Sequence, residues 1–230
     1  MIVNRKLDRF KQWGKERMGS EAKTVTSTEF KALETEMQLR HDGTDRMKKS
    51  ADVYIRTMAK SHKFDEKEMQ IPIAYFGSTM VKHSDELDQE SQLGQCLGQL
   101  GRANERIARI QENYCTNATG SWLESLERSL IQLKDYQNAR KRLENRRLAY
   151  DAASTKLQKS KKEDSRLEED VRAQKMKYEE SNEDVLRRML DIREAEAESV
   201  GDLSAFLDAQ LDYYERCRDV LQDIKRNWPA

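Results

Sequence analysis

Proline is almost missing from this chain: residues 30–228 contain only Pro72. A sequence so poor in helix breakers has little reason to form short elements joined by turns, and long helices become the expectation. Cysteine is scarce too. Cys96, Cys115 and Cys217 are odd in number and far apart, which argues against a disulfide framework and for buried free thiols in a reducing compartment. There is no apolar run of about 20 residues, so no transmembrane helix is expected, and the protein should be cytoplasmic or peripheral on a membrane. His41, His62 and His83 share no ligand spacing, and neither a nucleophile elbow, a metal signature nor a paired-carboxylate pocket stands out. The expectation is a non-enzymatic chain with no cofactor and no metal. Asn117-Ala-Thr119 matches a glycosylation sequon, but without a signal peptide ahead of it the match is read as chance.

What is present is charge. Apolar residues make up 37% of the chain and charged residues another 37%, a balance that suits a thin bundle with much solvated surface better than a compact globule. Lysine plus arginine equals aspartate plus glutamate at 42 each, but the distribution is uneven: residues 1–23 carry +4, 24–133 carry −3, 134–166 carry +6 and 167–230 carry −7. Two separated basic islands in a neutral chain point to localised anionic contacts. Nucleic-acid binding fits poorly, because aromatic residues do not interleave with the cations.

The first island is amphipathic. Ile2, Val3, Leu7, Phe10, Trp13 and Met18 fall in one broad helical arc, with Arg5, Arg9, Lys11 and Lys15 outside it and Lys6 and Arg17 intruding. Gly14 and Gly19 weaken such a helix in water. Residues 1–22 are therefore read as a membrane-inserting segment in which Val3, Leu7, Phe10 and Trp13 bury. Arg5, Lys6, Arg9, Lys11 and Lys15 would meet anionic headgroups. The alternative is an N-terminal arm packed on the bundle.

Beyond it, Thr26 and Glu29 have capping-box spacing before a first helix running to about Ser61. Its periodicity is patchy around Arg40–Asp45. A polar break, His62–Gln70, leads to Pro72, which restarts a helix reaching about Ser84. The second long helix should open near Gln89–Ser91 and run to about Lys159 along a seam from Leu93 through Ile107, Tyr114 and Leu133 to Leu143, with Asn117–Ser121 as its weak point. A turn at Lys159–Ser165 precedes a third helix, about Asp164–Asn227, whose stripe is Val185, Met189, Ile192, Val200, Leu203, Leu207, Leu211, Tyr214, Cys217, Leu221, Ile224 and Trp228. A single chain would leave part of so long a seam wet, so dimerisation is the expected remedy.

Gly94, Gly98 and Gly101 weaken a helix by about 2–3 kcal/mol relative to alanine, which predicts a close helix–helix approach there, near a dimer centre. A phosphate-cradling loop is excluded, since no Lys-Ser/Thr follows and no strand precedes. In the second island, antiparallel register places Glu179, Glu180 and Glu183 within reach of Arg140, Lys141 and Arg142, leaving those cations as readily salt-bridged as lipid-bound. Lys156, Lys159, Lys161 and Lys162 face few acids and are the stronger anionic-lipid candidates, with Arg146 and Arg147 ranking between the groups.

Four stretches resemble the BAR domain family, most closely its endophilin-like N-BAR branch, while the all-helical pattern and the late tyrosine-rich helix are similar to its fungal members as well. The four stretches are Phe30-Lys-Ala-Leu-Glu34, Leu93-Gly-Gln-Cys-Leu-Gly-Gln-Leu-Gly101, Leu143-Glu-Asn-Arg-Arg-Leu-Ala-Tyr-Asp151 and Leu203-Ser-Ala-Phe-Leu-Asp-Ala-Gln-Leu-Asp-Tyr213. The resemblance implies an all-α fold in which three long kinked helices form an antiparallel coiled coil over residues 23–230. The chains would pair as a crescent-shaped homodimer preceded by a short amphipathic helix. It also implies a module that binds anionic phospholipid membranes, senses or generates curvature in endocytosis or vesicle trafficking, and assembles into a higher-order lattice. Two departures stand out: His62–Ile71 is shorter and more acidic than the insert of that branch, and no SH3-like sequence follows Trp228. The competing reading is a coiled-coil scaffold or tether that works through protein partners without remodelling lipid.

Overall fold

The computed structural model describes residues 27–64, 68–160 and 164–229. Its elements are α1 (Thr28–Ala59), β1 (His62–Phe64), β2 (Glu68–Gln70), α2 (Pro72–Glu86), α3 (Gln92–Ala118), a π-helical turn (Thr119–Leu123), α4 (Glu124–Lys159), α5 (Ser165–Glu194) and α6 (Glu196–Arg226). The fold is all-α apart from one short hairpin, with the long helices of a BAR coiled coil. They divide into two compact units. The first takes residues up to Asp45 together with Arg128–Ala197, and the second takes Arg46–Glu127 and Glu198–Ala230.

Helix ends follow local chemistry. Thr26, the expected cap of α1, lies outside the described residues; within them, the Ser27 hydroxyl accepts from Phe30 N–H at 3.1 Å. Pro72 opens α2 after an extended Ile71, where its missing N–H and fixed φ cost nothing. Ser91 caps α3 by accepting from Gly94 N–H at 3.1 Å, and Asp164 caps α5 by accepting from Arg166 N–H at 3.0 Å. The weak point between α3 and α4 is a π-helical turn, where the Thr119 and Ser121 hydroxyls donate back to Cys115 and Asn117 carbonyls at 2.8 and 2.7 Å. Such back-bonding competes with the regular ladder and bends helices.

Two expectations need correction. The polar break at 62–70 contains an antiparallel pair with register His62↔Gln70, Lys63↔Met69 and Phe64↔Glu68, and Phe64 stacks on Tyr75 with ring centroids 4.1 Å apart. The third helix is interrupted at Ala195, whose N–H reaches the carbonyls of Asp191 and Arg193. Neither glycine nor proline marks that break, which lies within three residues of the passage from one unit to the other.

In the first unit, Phe30, Leu33 and Met37 from α1, Leu133, Tyr136 and Leu143 from α4, and Tyr178, Val185 and Met189 from α5 form one core. Val185 and Met189 are fully excluded from water. In the second unit, one cluster joins Ile55 to Tyr114, Cys115 and Leu123 with Phe206 and Tyr213 against it, and another joins Ile107 and Ile110 to Val220. Gly101 of α3 is explained here, within one chain. A Cβ on Gly101 would stand 2.7 Å from the Gly77 carbonyl oxygen, and one on Gly77 would meet Gly101 equally closely. The helix weakening from glycine is thus offset by direct contact between the α2 and α3 backbones.

The long stripe assigned to the third helix splits. Val185, Met189 and Ile192 are buried, whereas Val200, Leu203, Leu207, Leu211, Tyr214 and Leu221 are between 44% and 62% exposed. In α6 it is Phe206, Ala209, Tyr213 and Val220 that face the cores, together with Cys217 and Ile224 of the predicted stripe. The second unit therefore keeps a continuous apolar stripe on its surface.

Candidate membrane-binding surface

The N-terminal candidates Val3, Arg5, Lys6, Leu7, Arg9, Phe10, Lys11, Trp13 and Lys15 lie outside the described residues, as do Lys161 and Lys162. The others sit on α4, and their surroundings separate them sharply.

Lys156 and Lys159 occupy the last turn of α4, both exposed, one helical turn apart on the same face. Neither has an ion pair among the described residues. Cations at a helix C-terminus are favoured by the exposed carbonyls there, so the position stabilises them without tying up their ammonium groups.

Arg147 is different. Its Nε and Nη2 donate to the Glu144 carboxylate at 3.1 and 2.6 Å, and its Nη1 to Asp151 at 2.9 Å. The hydrogen bond to Glu144 raises the guanidinium pKa further, and the same bond holds the Glu144 carboxyl below its usual range. This is a closed intrahelical triad, and a lipid phosphate would have to displace two carboxylates to reach Arg147. Arg146 is exposed and without an ion pair among the described residues. It lines a groove of about 690 Å³ between α4 and α5 that also holds Lys177, Arg187, Glu180 and Asp184.

The expected cross-pairing of Arg140 with the glutamates of α5 is not found. Arg140 is bonded instead to Glu34 of α1, with Glu144 at 3.5 Å, while Arg142 reaches Asp184 at 3.7 Å. The sequence register considered α4 against α5 alone, and the third helix of the unit supplied the partner. Lys141 remains exposed with no ion pair among the described residues. The basic island thus contains three committed arginines, Arg140, Arg142 and Arg147, beside Arg146 and lysines that have no ion pair among the described residues.

The described residues thus combine long helices, a basic island and an uncovered apolar stripe, and no helix among them is long and apolar enough to cross a membrane. The family model for the BAR domain matches residues 3–230, and the chain belongs to that family. BAR domains are structural, non-enzymatic modules that dimerise and act in membrane curvature sensing or generation. Among its relatives, the Meiotically up-regulated gene 137 protein of Schizosaccharomyces pombe is 34% identical over 218 residues, covering 95% of this chain and 52% of that protein. Endophilin-A2 of Rattus norvegicus is 32% identical over 149 residues, 64% of this chain and 39% of that protein. Endophilin-A3 of Homo sapiens is 31% identical over 152 residues, 65% of this chain and 42% of that protein. The chain spans about half the length of the fission-yeast relatives it matches.

Sequence reasoning missed a second cationic surface, on α3 and α6 of the second unit, where Arg106, Arg109, Arg216 and Arg226 line a groove of about 810 Å³. No island of local net charge marks it, because the arginines come from helices about 110 residues apart, of which α3 is nearly neutral and α6 is acidic.

Proposed function

We propose that this chain binds anionic bilayers as a homodimer and senses or shapes their curvature, peripherally on endocytic or other internal membranes and the plasma membrane. The observation that carries the reading is the division within the basic island. Lys156 and Lys159 keep free ammonium groups at the end of α4 while Arg140, Arg142 and Arg147 are engaged by carboxylates. Each free lysine near an anionic leaflet is worth roughly 1 kcal/mol, and membership of the BAR family supplies the membrane context. Residues 1–22 act as the inserting wedge and 23–230 as the BAR domain, and Lys161, Lys162 and Arg146 extend the lysine contact.

The α6 stripe favours the homodimer. Six large apolar side chains along one face are more than a soluble monomer ordinarily leaves wet, and a second copy of the same stripe covers them symmetrically. Ordered dimers on a bilayer would then form a lattice. Cosedimentation of the purified chain with phosphatidylserine-rich and neutral vesicles at low and high salt, with electron microscopy of the pellets, tests the reading. Salt-sensitive binding to acidic vesicles with tubules is expected. A folded dimer that binds neither vesicle would overturn it in favour of a scaffold acting through proteins.

A further inference from the structure

Beside the lysines that carry the reading above lies a serine which that reading does not use. Outside helices and strands, the described residues hold four hydroxyl side chains of serine or threonine: Ser27, Ser61, Ser91 and Ser160. Ser27 and Ser91 serve as helix caps, their hydroxyls accepting from Phe30 and Gly94 N–H at 3.1 Å. Ser61 precedes β1 in the second unit. Ser160 directly follows the last residue of α4, one position after Lys159 and four after Lys156.

Thr155 is as near to those lysines along the chain, but it lies inside α4 with its hydroxyl donating to the Asp151 carbonyl at 2.7 Å. Phosphoryl transfer needs the attacking hydroxyl in line with the γ-phosphate of a nucleotide held by the kinase. A helical threonine meets that demand only after its turn unwinds, whereas Ser160 already sits past the helix end. Both neighbouring lysines are exposed, and cations a few residues from a serine are what a basophilic kinase reads.

We propose that Ser160 is a phosphorylation site for a basophilic serine kinase, and that its phosphate releases the α4 lysines from anionic membrane. The second half rests on the membrane reading above. In the transfer, Ser160 Oγ bonds to the γ-phosphorus of ATP as the bond to the bridging oxygen breaks. ADP leaves, and the hydroxyl proton passes to the kinase's catalytic carboxylate. The product carries about −1.5 to −2 charges near pH 7, which offsets two ammonium groups within one helical turn. A second effect acts on the helix. Ser160 N–H closes the last turn by donating to the Leu157 carbonyl at 3.1 Å. An anion there faces the exposed carbonyls of the α4 C-terminus, where cations are favoured and negative charge is not. The end that presents Lys156 and Lys159 is thus both neutralised and loosened.

The test uses the full chain with ATP, magnesium and the catalytic fragment of protein kinase C as the basophilic probe. Mass spectrometry should find phosphate on Ser160 at least about tenfold sooner than on Thr155 or Ser61. A chain that leaves Ser160 unmodified would overturn the proposal. Phosphoserine installed at position 160 during translation isolates the consequence. Its binding to phosphatidylserine-rich vesicles, read by cosedimentation, should be weaker by at least about tenfold, while Ser160→Ala should bind like the wild type. In a background of Lys156→Gln with Lys159→Gln, the same phosphate should weaken binding by less than about threefold, because its two nearest targets are gone. Equal losses in both backgrounds would mean a bulk charge effect and would sink the switch. If the two lysine substitutions alone leave binding intact, the membrane reading fails and the switch with it. If they weaken binding and the phosphate does not, only the switch fails. Unchanged helical circular dichroism of the variants certifies the fold.

Discussion

The first unit encloses its apolar stripe and the second wears half of its own. Residues of the same kind, at the same helical spacing on the same predicted helix, are driven to opposite fates. Met189 is fully excluded from water, and Leu207 is 62% exposed. In the first unit the apolar faces of α1, α4 and α5 converge on one core. In the second, α6 turns its aromatic and small residues inward, Phe206, Ala209 and Tyr213, against Tyr114 and Ile55, and its leucines outward. An apolar stripe identifies a contact surface, then, but not whether the contact lies within the chain or beyond it.

The largest effect should come from testing that contrast directly. Met189→Ala should lower stability by about 2–5 kcal/mol, the usual range for emptying a filled core site, read as a fall in the denaturation midpoint. Leu207→Ala should change the stability of the dilute chain by less than about 0.5 kcal/mol, as surface substitutions do. Equal losses would mean that the α6 stripe is covered within the chain. Next, if the α6 stripe is the proposed homodimer face, Leu207→Glu with Leu211→Glu should raise the dimer dissociation constant by at least about 100-fold, since it places charge in that apolar contact. Sedimentation velocity would show the shift to monomer, and an unchanged dimer would move the interface elsewhere.

Within the first unit, the comparison between free and committed cations can be sharpened by vesicle binding. Lys156→Glu with Lys159→Glu should weaken binding to acidic vesicles by about tenfold or more, whereas Arg147→Gln should change it by no more than about twofold, because Glu144 and Asp151 already hold that guanidinium. A larger loss for Arg147→Gln would place the lipid contact on the triad. In the second unit, Tyr54 and Tyr114 share a hydroxyl contact at 3.3 Å, and Tyr54→Phe should cost about 0.5–1 kcal/mol. Smallest is the pH effect of Glu144. Its carboxyl pKa is held down by Arg147, so its contribution is complete above the ordinary value of 4.5 and disappears as pH falls through the lowered folded value. Glu144 is 41% exposed in this pair, which limits the effect to about 0.3–0.5 kcal/mol. Glu144→Gln should remove that part of the acid dependence of the unfolding midpoint.

Much of the fold was legible because helix signals are local. Pro72, Ser91 and Asp164 mark helix starts by chemistry that needs no distant partner, and the weak run after Asn117 becomes the π-helical turn. The hairpin was not legible, since strands of three residues are too short to show an alternating period. The break at Ala195 has no breaker residue at all. At the candidate surface, the triad of Arg147 could have been read from carboxylates three residues before and four after it. Glu34 as the partner of Arg140 could not, with 106 residues between them.

The sequence by itself determined that the chain is helical, where most helices begin, and which faces are apolar, because capping, helix propensity and 3.6-residue periodicity act over a few neighbouring positions. Only the tertiary structure decided which apolar faces close on each other, which arginines are consumed by carboxylates, and that Arg106 and Arg109 share a groove with Arg226. Those outcomes depend on which distant helices pack side by side, and burial and ion pairing act through space between residues that the sequence leaves far apart.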